Sequence, residues 1–149
     1  MNPTTPSSIE AGLARLALVL LAALLLAGCP ATQQKNQKQT ETFDRFEALV
    51  RWNQPDALVD FMHPDYLAEN PITQLDVDRL KQFQVSQYRV RQIVALEDGS
   101  GVDRLVELRM YHVHTARERT IQYVESWRWD EERERWMLHS GLPDVTQGR

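Results

Sequence analysis

The sequence predicts an α+β domain: N-terminal helices packed on a curved, four-stranded antiparallel meander. Two observations carry this. Apolar residues recur at helical spacing from Thr40 to about Gln82, and from Phe83 the period falls to two. Turn-forming clusters then divide the second half into four runs, and helices followed by a run of strands is the α+β order.

In the first helix, Thr40 to about Trp52, Phe43, Phe46, Leu49 and Val50 form one apolar stripe. Thr40 can cap it, with Glu41 in the first turn where the helix dipole favours a carboxylate. Asn53-Gln54-Pro55 breaks it, and Pro55 suits the first position of a second helix through Leu58, Val59, Phe61 and Met62, which His63-Pro64 ends. A third short helix is expected over Asp76 to Gln82, capped by Thr73 or Asp76.

The first strand has Tyr88, Val90, Val94 and Leu96 alternating with Arg89, Arg91 and Ala95. Asp98-Gly99-Ser100-Gly101 reads as a turn. Strands over Val102 to Thr115, Arg119 to Asp130 and Arg135 to Ser140 follow. Val102, Val106, Leu108, Met110 and His112 share one side of the second strand. Ile121, Tyr123, Glu125, Trp127 and Trp129 share one of the third, and Trp136 and Leu138 one of the fourth. If the three sets coincide they make the helix-covered face. The opposite face, with Glu107, Arg109, Tyr111, Gln122, Arg128 and His139, is then wet, and a register error of one residue would exchange the two.

Ahead of the domain, Leu16 to Ala27 is an unbroken apolar run of twelve residues. A bilayer core of roughly 30 Å takes about 20, so the run fits the apolar middle of a secretion signal rather than a span. Arg15 precedes it, and Leu26-Ala27-Gly28-Cys29 follows. This resembles the lipobox of bacterial lipoproteins. The resemblance implies a signal peptide over residues 1–28, cleavage after Gly28, and fatty chains on Cys29 and on the new amino terminus. One acyl chain holds only reversibly, so stable attachment needs more than one. An Asp directly after the lipidated Cys marks inner-membrane retention in enteric bacteria. Pro30 stands there instead, which places the expected anchor in the periplasmic leaflet of the outer membrane.

Removing residues 1–28 of the 149 leaves 121 and takes away Glu10 and Arg15, so the formal charge stays at −4. That suffices for one domain with a modest core. A mildly acidic balance argues against nucleic acid, whose binding rests on clustered Lys and Arg. Cys29 is the only cysteine, so no disulfide is expected. Residues 29–39, with Ala31 to Thr40 reading ATQQKNQKQT, have no large apolar residue and are expected to be a flexible tether to a domain over 40–145, with 146–149 as a tail.

The helices, with PDALVDFMHPDY as the second, and the aromatic last hairpin, ESWRWD before RWMLHSGLPD, resemble the nuclear-transport-factor-2-like (SnoaL-like) cone fold over about Thr40 to Val145. The segment also looks like small proteobacterial lipoproteins ending in SGLPD. The resemblance implies a pocket between sheet and helices, with Tyr88, Met110, His112 and Trp127 as candidate lining. The fold hosts enzymes, binders and assembly modules alike.

Among candidates for chemistry, Glu125 stands between Tyr123 and Trp127 on the presumed packed face. A carboxylate in apolar surroundings suits general acid–base work, and ketosteroid-isomerase-like members pair one with a tyrosine, here Tyr123 or Tyr88. The competing reading is a Glu at the sheet margin paired with an Arg. His112 and His114 point the same way on a strand, but zinc needs three or four ligands and Glu125 joins them only if the register allows, so no metal and no cofactor is expected. Trp127, Trp129 and Trp136 read as a cross-strand core before they read as a stacking platform. No nucleophile triad or phosphate-cradling glycine loop occurs. The functional expectation is a lipid-anchored domain that binds a small apolar ligand or an envelope protein. The alternatives are an acid–base enzyme using Glu125 and an envelope assembly scaffold that dimerises through its wet sheet face.

Overall fold

The computed structural model describes residues 30–146. The signal segment, Cys29 and the last three residues of the tail lie outside the described residues. The chain divides into two compact units, Met1–Asn36 and Gln37–Arg149. Of the first, only 30–36 are described, as the opening turns of a helix.

That helix, α1, runs Pro30–Arg51, so the segment expected as a coil is helical. Pro30 suits a first helical position, and Gln, Lys and Thr follow without a breaker. Gln37 Nε2 donates to Glu41 Oε1 one turn on, at 2.8 Å. Lys38 belongs to the domain rather than to a tether. Its Nζ donates to the Glu134 carbonyl at 3.0 Å and lies 5.6 Å from the Trp129 ring, tying α1 to the last hairpin. Composition alone missed this because it measures the surface a segment can bury, not helix propensity or docking of the segment's far half. Thr40 is thus interior to α1, and its expected capping role does not arise.

α2, Pro55–Leu58, starts at its proline as expected and passes into a 3-10 turn, Val59–Phe61. His63-Pro64 does not simply end it. Pro64 opens a further helix, α3, Pro64–Glu69, with His63 as its cap. The proline-first rule that located α2 could have located α3 as well. α4, Gln74–Lys81, is closed at its start by a capping box between Thr73 and Asp76. Among the described residues no helix is long and apolar enough to cross a membrane.

The strands β1, Phe83–Ala95, β2, Gly101–His112, β3, Glu118–Asp130, and β4, Arg135–Leu138, pair antiparallel in the order β1-β2-β3-β4. The molecule is α+β, with the helices on one face of a curved sheet. Val102 opposes Trp127, Leu108 opposes Ile121, Trp127 opposes Leu138, and Trp129 opposes Trp136, so the three expected inward sets coincide. Phe46, Val50, Leu58, Met62 and Leu80 cover them. Trp127, fully buried, is the hub: Phe43 and Phe46 stand 5.0 and 5.1 Å from its ring.

β1 departs from the expected alternation. Register shifts between Val85 and Gln87 and between Val90 and Gln92 each insert one residue. Beyond the second, Ile93 opposes the inward-facing Arg104 while Val94 opposes Asp103, so Val94 leaves the face that Tyr88 and Val90 share and is solvent-exposed. The Asp98–Gly101 turn closes β1–β2, with Gly99 at φ +68°. Gly101 is fixed by space instead: a Cβ there would stand 2.6 Å from Arg128 Cδ and 2.9 Å from the Trp127 carbonyl.

Candidate functional site: the Glu125 cluster

Glu125 lies at the centre of β3 with no solvent exposure, on the inner face between two aromatic neighbours. Each neighbour serves it. Tyr123, two residues before on the same face, donates its hydroxyl to Oε1 at 2.6 Å, and Trp127, two residues after, donates its indole N–H to Oε2 at 3.0 Å. Tyr88 reaches across from β1 and donates to Oε1 at 2.5 Å. Arg104, directly opposite on β2, brings Nη1 to 3.4 Å from Oε2. Strand periodicity explains this convergence: positions 123, 125 and 127 share a face, and the meander stacks 104 and 88 beside them.

Arg104 is the residue that sequence reasoning left out of the inward row, although it stands between Val102 and Val106. It is only 4 % exposed. Its guanidinium lies 4.5 Å from the Phe43 ring and 5.8 Å from Tyr88, so aromatic faces supply part of its surroundings. Its Nε and Nη1 make no hydrogen bond. An Arg at an even position of β2, in the row of Val102, Val106 and Leu108, was the signal available. Glu125 is therefore paired with an Arg, at the middle of the sheet rather than at its margin.

The two tyrosines are held in their protonated form. Burial foremost, and then the charge of Glu125, push the Tyr88 and Tyr123 hydroxyls well above their ordinary value of 10. Both therefore act as donors throughout the physiological range. The cluster can hold a carboxylate and a guanidinium inside an aromatic core. The carboxylate itself has no solvent exposure, while Tyr123 beside it is half-buried.

The other candidates are placed as follows. Trp127 and Met110 are fully buried core residues, and Tyr88 is committed to Glu125, so the expected pocket lining is the filled core itself. A small apolar void between helices and sheet, lined by Leu58, Leu80, Phe83 and Met110 among others, measures about 10 Å³. That is room for about one water. A wider cleft of about 570 Å³ lies outside the core between α1, the 3-10 turn and β4, with Arg45, Asp60, Phe61 and Arg135 on its walls.

His112 ends β2 beside Phe83, and His114 lies in the following turn rather than on a strand. His112 Nδ1 accepts from the His114 backbone N–H at 3.2 Å. The register sets Arg104 opposite Glu125, eight residues up β2 from His112, or about 26 Å at strand rise. Glu125 cannot join the two histidines, and no group of three metal-ligating side chains occurs among the described residues.

Comparison with known proteins leaves the cluster to be judged on its own geometry: no family model, no curated protein and no solved structure matches the chain.

Proposed function

We propose that this chain is a bacterial envelope lipoprotein whose α+β domain, of the NTF2-like type, binds an envelope protein through its surface rather than catalysing a reaction. The anchor is Cys29 in Leu26-Ala27-Gly28-Cys29, carrying fatty chains in the periplasmic leaflet of the outer membrane. The observation that carries the binding reading is the enclosure of Glu125. Both of its oxygens are engaged by protein donors, and the void beneath the helices has room for about one water. An acid–base enzyme needs its carboxylate within hydrogen-bond reach of a substrate, and a small-molecule binder needs a cavity of hundreds of Å³. Neither requirement is met at Glu125, so recognition falls to the outside.

The outer sheet face supplies the features for it. Val124, opposite Leu105, is exposed between the Arg91–Glu107 and Arg128–Asp103 pairs, Val94 is exposed opposite Asp103, and Tyr111 is exposed further along β2 beyond Glu107. Apolar side chains set among charges are the make-up of a protein contact rather than of a catalytic cleft.

Two measurements test this. Labelling with a tagged fatty acid is expected to mark the wild type and to be lost in Cys29→Ser. A photo-crosslinking residue at position 124 or 111 is expected to trap one envelope protein in stoichiometric amount, and the same residue at Leu75, exposed on the helical side, to trap none. Labelling that survives Cys29→Ser removes the anchor. Crosslinks that are equal at all three positions, or absent, remove the binding face.

A further inference from the structure

His63 connects the 3-10 turn to α3 and is used three times over. Its backbone N–H donates to the Leu138 carbonyl at 2.9 Å, beside a bridge between Met62 and Leu138, which joins the helical layer to the end of β4. Its Nδ1 accepts the Asp65 backbone N–H at 3.2 Å, capping α3. Its ring stacks on His139, centroids 4.5 Å apart and planes 21° from parallel.

The cap fixes the tautomer. An Nδ1 that accepts a hydrogen bond carries no proton, so the ring hydrogen is on Nε2, which faces Asp130 Oδ2 at 3.4 Å. The charged groups around the pair are few. Asp65 Oδ2 lies 3.6 Å from His63 Nδ1. Asp130 is shared with Arg133, 2.8 Å away. Arg128 acts on His139 and is itself bound to Asp103 at 2.7 Å.

We propose that the stacked His63–His139 pair is a proton-operated switch on α3: a proton taken at His63 Nδ1 removes the helix cap, while the stacked His139 stays neutral. Protonation turns the Nδ1 acceptor into a donor. It can then no longer receive the Asp65 N–H, and it faces the Asp65 carboxylate instead. The imidazolium formed is held on its other side by Asp130. A second positive ring 4.5 Å away would be repelled, so the pair takes its two protons in separate steps, His63 first. Burial, the His63 ring and Arg128 lower the proton affinity of His139, which is consistent with that order.

The test is an amide and histidine-ring NMR titration of the full chain in detergent, from about pH 8 to about pH 5, the range in which histidines titrate. The His63 ring and the Asp65 amide are expected to titrate together with one midpoint, and the His139 ring at lower pH. His63→Asn keeps a side-chain oxygen that can cap α3 but cannot take the charge. In it the Asp65 amide is expected to stop responding to pH, and the His139 midpoint to move up towards 6.5. His139→Gln should leave the joint titration of His63 and Asp65 in place. An Asp65 amide that does not follow the His63 ring in the wild type overturns the switch, even if His63→Asn fails to fold. A His139 midpoint unmoved in a folded His63→Asn overturns the coupling.

Discussion

The sheet carries two Glu–Arg pairs on opposite faces, and they are opposites in chemistry. On the outer face Arg91 Nη2 meets Glu107 Oε1 at 2.6 Å, with the arginine 40 % and the glutamate 18 % exposed. Gln122 adds a donor to the other Glu107 oxygen, and these bonds hold the carboxyl below its ordinary range. On the inner face Arg104 Nη1 and Glu125 Oε2 are 3.4 Å apart, about half an ångström beyond a good charged hydrogen bond, yet almost nothing of them reaches solvent. The short pair is the dispensable one. Water can replace either partner on the outside, whereas inside, each charge depends on the other and on Tyr88, Tyr123 and Trp127.

That contrast can be broken from its strong side first. Arg104→Met leaves Glu125 buried without its counter-charge and should cost about 3–5 kcal/mol in urea unfolding. The double change Arg104→Met, Glu125→Leu should recover much of that loss, since a well-packed apolar pair of similar volume is often neutral. A double variant no more stable than Arg104→Met would show that the inner pair is a structural requirement in its own right.

Gly101→Ala comes next. The register that sets Arg104 opposite Glu125 begins where Gly101 opposes Arg128, and a Cβ there meets Arg128, Leu96 and a backbone carbonyl inside 3 Å. A loss of about 1–3 kcal/mol is expected, as for overpacking elsewhere. Thermal unfolding checks it.

The tyrosines come third. Tyr88→Phe or Tyr123→Phe removes one donor from a buried oxygen that keeps the other, for about 1–2 kcal/mol. Both hydroxyls have folded-state values above 10, so above about pH 10 the unfolded chain loses protons that the folded chain keeps. Stability should therefore fall as pH rises past 10, by up to about 1.4 kcal/mol per pH unit for each tyrosine. Each Phe variant should flatten that slope, and an unchanged slope in both would separate the tyrosines from Glu125. The smallest effect is expected from Arg91→Ala, which should move the unfolding midpoint little and lose what difference it makes at high salt. A large, salt-independent loss there would erase the distinction between the faces.

Much of this architecture could be read before folding was considered. Periods of 3.6 and then 2, with Pro55, Thr73 and Asp98-Gly99 as punctuation, predicted α2, α4 and the four strands because these signals are local. What escaped has identifiable physical causes. α1 starts at Pro30 because the polar run that follows has no breaker, and composition did not reveal that its later part docks, as Lys38 does on the last hairpin 96 residues away in the chain. The phase of β1 beyond Val90 changed because a bulge adds one residue, and a bulge has no period of its own. α3 was hidden because Pro64 can be read as the end of one helix or the start of another.

Glu125 shows the same division at the level of the site. Its inward position between Tyr123 and Trp127 followed from alternation along one strand. Its role did not, because that depends on which residues two other strands deliver to its oxygens. Tyr88 arrives only after β1 has bulged once, and Arg104 only through the β2–β3 register. By itself the sequence determined the α+β order, the inward row and the acidic, single-cysteine composition, all properties of neighbours in the chain. Only the tertiary structure decided that the carboxylate is sealed among four side chains rather than open to a cavity. Enclosure is a relation between strands, and no local pattern encodes it.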